Sequence, residues 1–306
     1  MIAVECPVLS RRNDRRGSVL PVRSRWPASL PLHEAKSQLN GALPECQFIR
    51  LSLPGNMSTD PFVNLPHLRG KLIPADQSTV RVTPEVLATW DQRARDSGRP
   101  ADWRLSDDVR EASRNALLAN RDASEDLWVY AYGALMWDPG FHFSEIRTAE
   151  LDGYQRRFTL KSIGGRGTPA HPCLFLTLEK RAGSTCAGLA FRIAAQAADH
   201  ESAMLWRREM LRGAYAPEFC PMRTPQGDIR ALVFASNPMS AHYFAEQPLA
   251  ETAAMIAAAS GPLGTNREYL EQVAEQLLAL QIEDEYIADL LRLVQRTDTA
   301  DRGVSP

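Results

Sequence analysis

The chain has 306 residues, 44% of them hydrophobic, and a formal charge of −2. That length can build one large or two modest cores, and so small a charge supplies no field for nucleic acid or an anionic membrane. No apolar run approaches the roughly 18–20 residues of a membrane span.

Residues 1–56 differ from the rest. They hold eight Lys/Arg against four Asp/Glu, whereas the remainder holds 27 against 33. Prolines recur and apolar periodicity is weak, which predicts a flexible basic extension. Arg11, Arg12, Arg15 and Arg16 are followed by Gly17 and Ser18 rather than an apolar stretch, so the reading is against an export signal. Met57 opens MSTDPF, and a start there would leave the first 56 residues untranslated.

A helical segment is expected over 57–124. Thr83 caps a helix over 83–96, with Pro84 at its first position and Val86, Leu87 and Trp90 on one face. After Gly98-Arg99-Pro100, a second helix starts at Ser106 and carries Val109, Ala112, Ala116 and Leu117. From about Glu125 the texture changes to strands. Leu127–Tyr130 is apolar, aromatic or β-branched, but the strand stops at Gly133 and the chain turns at Asp138-Pro139-Gly140. RFTLKSI (157–163) and CLFLTLE (173–179) alternate, with Leu174, Leu176 and Leu178 on one face. Ala182-Gly183-Ser184 reads as a hairpin turn into CAGLAFRI (186–193). A helix is expected from about His200 to Arg212, closed by Gly213. Pro225–Asp228 marks another hairpin, leading into Ile229–Ala235.

The chain then returns to helices. Thr265-Asn266-Arg267-Glu268 is a capping box, followed by an apolar stripe of Tyr269, Leu270, Val273, Leu277 and Leu280. A last helix carries Ile287, Leu290, Leu291 and Val294, and residues 297–306 read as a disordered tail. Strands with helices inserted and appended, without strict alternation, indicate an α+β fold.

Chemistry-bearing residues are sparse. Cys6, Cys46, Cys173, Cys186 and Cys220 are scattered, as reduced thiols of a cytoplasmic protein would be. The last three lie in or beside apolar, strand-like sequence and read as small buried hydrophobes. No His/Cys spacing matches a metal site, so no metal is expected. Gly164-Gly165-Arg166-Gly167 lacks the helix N-terminus that a phosphate loop needs; it reads as a plain loop, and no nucleotide cofactor is expected. Ser162 and Thr168 have no evident base. Glu209 is more informative. At about 100° per residue it lies roughly 60° from Trp206 and 40° from Leu205 around its helix. It is either a solvated residue paired with Arg208 or Arg212, or a general base whose pKa partial burial raises. Glu201, near the start of the same helix, is expected to face solvent.

Six stretches in register resemble the ChaC-like γ-glutamylcyclotransferase family. They are VYAYGALMWDPGF, LDGYQRRF, GGRGTPAHPCLFLTLE, CAGLAFRI, LWRREMLRGAY and GTNREYLEQVAEQL, together spanning about residues 126–295. The resemblance implies a small mixed β-barrel with packed helices, in a domain over 125–296. It implies that Tyr132, Gly133, Ala134 and Leu135 present main-chain N–H groups to a substrate carboxylate, that Glu209 is the catalytic acid/base, and that Ser162, Arg166 and Tyr215 bind substrate. The reaction implied is attack by a γ-glutamyl α-amine on its own γ-carbonyl, giving 5-oxoproline and an amine. With glutathione the amine is Cys-Gly; other γ-glutamyl amines or peptides are the alternative. A non-catalytic regulator of a cation transporter is the rival from another class. Two positions depart from the family pattern: Ala134 replaces a serine, and Cys173 replaces a glycine.

Overall fold

The structure, a computed structural model, describes residues 60–302. The expected basic extension over 1–56 lies outside the described residues.

Residues 60–82 run irregularly, with short helical turns at Pro66–Leu68 and Ala75–Gln77. Two helices follow, α1 (Pro84–Asp96) and α2 (Asp107–Leu118). Both start where local chemistry predicts: the Thr83 and Ser106 side chains accept from the backbone N–H of Val86 and Val109, satisfying donors that a helix leaves open. The buried face of α2, however, is not the expected one. Val109 is exposed, and Arg110 and Arg114 are the residues turned inward. Arg114 is neutralised there by Glu111 on its own helix and by Asp199.

The centre is a five-stranded mixed sheet in the order β2-β3-β1-β5-β4. Its strands are β1 (Leu127–Ala131), β2 (Glu145–Ser162), β3 (Cys173–Ile193), β4 (Tyr215–Met222) and β5 (Ile229–Ser236). β1 is antiparallel to β3 and parallel to β5. The long β2–β3 ribbon corrects one expectation: Ala182-Gly183-Ser184 does not turn the chain back. β3 continues through it, paired with β2 on both sides of a register shift between Asp152 and Tyr154. Gly153 and Gly183, with φ of +82° and +79°, sit at that irregularity, in a backbone region glycine enters without steric cost. The glycine signal was real, but it marks a bulge rather than a hairpin. The turn over Pro225–Asp228 does join β4 to β5, with Met222 opposite Ile229.

The expected barrel is not formed; the sheet stays open. Its edge strands β2 and β4 meet only at an isolated bridge between Glu150 and Arg223, beyond the end of β4. Arg223 directs its N–H and C=O outward to Glu150. Pro217 and Pro221 share its parity, so the outer edge of β4 lacks two of the N–H donors that a closing ladder would use.

Helix α3 (Ala195–Glu209) joins β3 to β4 and begins five residues before the sequence reading. No side chain of its own caps it. The Asp126 carboxylate, 69 residues away, accepts from Ala195 N at 2.9 Å, a placement that also suits the positive end of the helix. On this helix Glu201 does not face solvent. It is 3% exposed, takes two bonds from the Arg81 guanidinium at 2.6 and 3.0 Å, and accepts from His142 N.

Helix α4 (Leu249–Ala258), the two-residue strands β6 (Ser260–Gly261) and β7 (Gly264–Thr265), α5 (Asn266–Ala279) and α6 (Glu285–Arg302) complete the chain. The capping box at Thr265 and Glu268 is present with both hydrogen bonds. Tyr269, Leu270, Val273 and Leu277 of α5, and Ile287, Leu290 and Val294 of α6, join the sheet in one core. Among the described residues no helix is long and apolar enough to cross a membrane.

Candidate active site

Helix α3 ends on Glu209. One turn earlier Leu205 and Trp206 are buried. The Trp206 ring packs 5.3 Å from that of Phe234 and its indole N–H donates to Ser113 Oγ. This anchorage keeps the last turn against the sheet and the Glu209 side chain 13% exposed. Arg208 Nε lies 3.0 Å from its Oε1. Of the two readings open from sequence, the pairing with Arg208 is present but the solvated surface is not. Burial raises the Glu209 pKa above its usual 4.5, and the Arg208 charge opposes that rise. Arg208 is itself held by the carbonyls of Asp138 and Pro139, so the turn after β1 orients the cation beside the carboxylate.

The loop at the end of β1 reaches the same place. Gly133 precedes a single helical turn, Ala134–Met136, closed by Met136 N–H to Gly133 O. The first N–H groups of such a turn, those of Ala134 and Leu135, have no partner within it. Gly133 has a φ of −141°, so positive φ is not why glycine stands here. Space is: a methyl group on Gly133 would lie 3.2 Å from Tyr269 Oη and 3.8 Å from Leu176 Cβ. The Tyr132 carbonyl is fixed by Arg156 Nε at 2.7 Å, and the Tyr132 hydroxyl donates to Phe234 O. Arg156 also donates to Ala187 O and pairs with Asp284 at the start of α6.

Three phenols share this low-polarity space. Burial pushes the hydroxyls of Tyr132, Tyr215 and Tyr269 well above their usual range, and the nearby Glu209 charge adds to each rise. Tyr132, Gly133, Tyr215 and Glu209, all named from the resemblance, are therefore neighbours in the fold. Leu135 turns into the core. Arg166 belongs to the rim: it donates to Thr265 O, pairs with Glu268 and lies 6.0 Å from the Tyr269 ring. Ser162 is not brought to the carboxylate by any described bond; its hydroxyl bonds the N–H and C=O of Gly164. Cys173 is fully buried, with Sγ 3.4 Å from the carbonyls of Ser162 and Gly164. The close backbone approach in this loop occurs at Gly167, which has no room for a side chain beside Cys173.

Sequence reasoning missed two participants, Tyr269 and Arg156, and took Arg208 only as a surface partner of Glu209. Tyr269 was assigned to the apolar stripe of α5; a lone tyrosine in an aliphatic stripe is the available signal. Arg208 and Arg156 are ordinary in sequence, since only tertiary structure supplies the carbonyls they hold. No group of His, Cys, Asp and Glu among the described residues could hold a metal ion.

Comparisons with known proteins cover the part of the chain that carries these residues. Residues 127–297 match the family model described as ChaC-like protein. The chain is 37% identical over 192 residues to a glutathione-specific gamma-glutamylcyclotransferase of Escherichia coli (strain K12), covering 62% of this chain and 82% of that protein. It is 36% identical to gamma-glutamylcyclotransferase 2-1 of Arabidopsis thaliana, over 56% of this chain and 82% of that one. It is 32% identical to glutathione-specific gamma-glutamylcyclotransferase 1 of Homo sapiens, over 55% and 78% respectively. Among solved structures, a yeast gamma-glutamyl cyclotransferase specific to glutathione superposes with a TM-score of 0.51 at 22% identity, covering 56% of this chain and 96% of that one; the likeness is one of fold.

Proposed function

The chain belongs to the ChaC-like family, and from that premise we propose that it cleaves the γ-glutamyl bond of glutathione, releasing 5-oxoproline and Cys-Gly. The observation that carries the reading is a buried carboxylate, Glu209, with a raised pKa, beside a backbone loop at Gly133 whose Ala134 and Leu135 N–H groups have no partner within their own turn.

The α-amine and γ-carbonyl belong to one γ-glutamyl unit, so the reaction is unimolecular once the substrate is folded correctly, and positioning supplies much of the rate. The main-chain donors of Ala134 and Leu135 hold the α-carboxylate, which sets the α-amine against the γ-carbon. Glu209, ionised, takes a proton from the ammonium group. The freed amine forms a C–N bond to the γ-carbon and closes the five-membered lactam. The ring nitrogen then carries one proton more than the lactam keeps. The bond from the γ-carbon to the cysteine nitrogen breaks as Glu209 gives its proton to that nitrogen, and the carboxylate then passes the surplus ring proton to the departing amine, which leaves as an ammonium. Nothing else is consumed. Arg208 keeps the carboxylate ionised enough to accept the proton, and burial keeps it basic enough to be useful. Tyr215 and Tyr269, held neutral, wall the site and can donate hydrogen bonds to substrate oxygen. Because binding runs through backbone groups, Ala134 in place of serine is compatible with it. The activity suits the cytoplasm, whose reducing poise matches the free, buried Cys173, Cys186 and Cys220.

The test is to incubate the purified chain with glutathione and follow 5-oxoproline and Cys-Gly. Equimolar release of both is expected. Release of glutamate instead, or of nothing, overturns the reading.

A further inference from the structure

Beyond the γ-glutamyl end, glutathione carries a second carboxylate, on its glycine. Most of the half-buried arginines near the site have an acidic partner: Arg81 has Glu201, Arg166 has Glu268 and Arg208 has Glu209. Arg99 and Arg212, on the side of the Gly164 loop, have none. Arg212 lies three residues beyond Glu209 with its guanidinium 5.9 Å from the Trp103 ring centre. It is partly buried. Arg99, from the segment between α1 and α2, reaches across to the Gly164 loop, where a methyl group on Gly164 would lie 3.6 Å from its Nη2. Neither forms an ion pair with a described residue. They are near enough for the Arg99 charge, together with burial, to disfavour the charged form of Arg212, and no carboxylate offsets that effect. His242 completes the surroundings: burial and the Arg212 charge lower its pKa, so it adds no stable cation. Its carbonyl accepts from Lys161 N at the end of β2, next to Ser162 and the Gly164 loop.

Two like charges held together without a counter-ion cost energy in the empty protein. A bound anion removes that cost, and a guanidinium suits a carboxylate better than an ammonium does. The leaving dipeptide extends roughly 7 Å beyond the bond that breaks, while Arg212 is at most about 10 Å from Glu209 along the backbone. We infer that Arg99 and Arg212 form the subsite for the glycyl carboxylate of glutathione, at the C-terminal end of α3 beside the Gly164 loop. This rests on the glutathione reading above and adds to it a physical basis for choosing glutathione over γ-glutamyl amines that lack a distal carboxylate. One of the two residues, Arg99, lies outside the matched family region, in the segment that precedes β1.

The experiment compares glutathione with its analogue bearing an amide in place of the glycyl carboxylate, by 5-oxoproline release. The unmodified protein should show a KM about tenfold or more lower for glutathione. Arg99→Ala and Arg212→Gln should each raise the KM for glutathione and bring the two substrates toward equality, and Arg99→Lys should retain part of the preference. Arg99 is exposed, so its variant tests the subsite even if Arg212→Gln fails to fold. Equal KM values in the unmodified protein, or a preference that survives both substitutions, would overturn the subsite alone. Absence of 5-oxoproline from both substrates would overturn the glutathione reading and the subsite with it.

Discussion

Glu209, the acid/base of the proposed reaction, is an ionisable group whose surroundings disfavour its charge. A general base must be ionised to act, and a raised pKa means a smaller ionised fraction at any given acidic pH. The acidic limb of kcat/KM should therefore fall above pH 4.5, the ordinary glutamate value. The same shift fixes the sign for stability. A carboxylate whose folded pKa is raised stabilises the fold while protonated, and that contribution is lost as pH rises through the folded pKa. Glu209→Gln, always neutral, should lower kcat by about 10²–10⁴-fold and remove the acidic limb without lowering Tm; near-normal turnover by the folded variant would refute the assignment. Gly133→Val makes a different demand. Its first added carbon already presses on Tyr269 Oη at 3.2 Å, so binding should fail while circular dichroism stays native. Unchanged KM in that variant would remove the loop from the site.

Helix α3 is placed by charges that its own sequence does not advertise. Its start is capped by Asp126, its middle is tied to the segment before β1 by Arg81 and Arg114, and its end carries Glu209. Arg81 joins two things that the site needs in register, the helix through Glu201 and the Pro139-Gly140 turn through the Gly140 carbonyl at 3.0 Å. Glu201→Ala would leave a nearly buried guanidinium without its partner, a loss on the order of 3 kcal/mol, seen as a lower urea midpoint. Stability within a few tenths of a kcal/mol of the unmodified protein would mean that the pair does not anchor the helix. In the sheet, the β2–β3 ribbon shows why strand patterning could be read while topology could not. Leu174, Leu176 and Leu178 alternate as expected, yet one glycine in each strand bends the ribbon without ending it.

Over the whole molecule, the segment before β1 packs on the elements that carry the candidate site. Ile73 N–H bonds Trp137 O, Leu105 N–H bonds Leu211 O, and Ser113 accepts from Trp206, so residues 60–124 brace both the turn after β1 and the helix that bears Glu209. Residues 1–56 differ in composition and charge. A chain begun at Met57 should release 5-oxoproline at the rate of the full chain, whereas one begun at Glu125 should melt at a markedly lower temperature and lose turnover. Equal behaviour of the two shortened chains would show that the bracing contacts do not matter.

What the sequence by itself determined is whatever depends on neighbours a few residues apart. The caps at Thr83, Ser106 and Thr265, the alternation in β3 and the position of Glu209 one turn beyond Leu205 and Trp206 all follow from backbone hydrogen bonds and helical or strand periodicity. The family motifs are local stretches too, and it is they that single out Gly133 and Glu209 as candidates. Only the tertiary structure decided the burial of Glu201 and of the α2 arginines, the open edge between β4 and β2, and the gathering of Tyr269, Arg208 and Arg156 around the site. Each depends on a partner far along the chain. A glutamate is solvated or buried according to whether an arginine such as Arg81 arrives from 120 residues away. A strand such as β4 closes a barrel only if its outward donors meet another edge, and Pro217 and Pro221 withhold two of them.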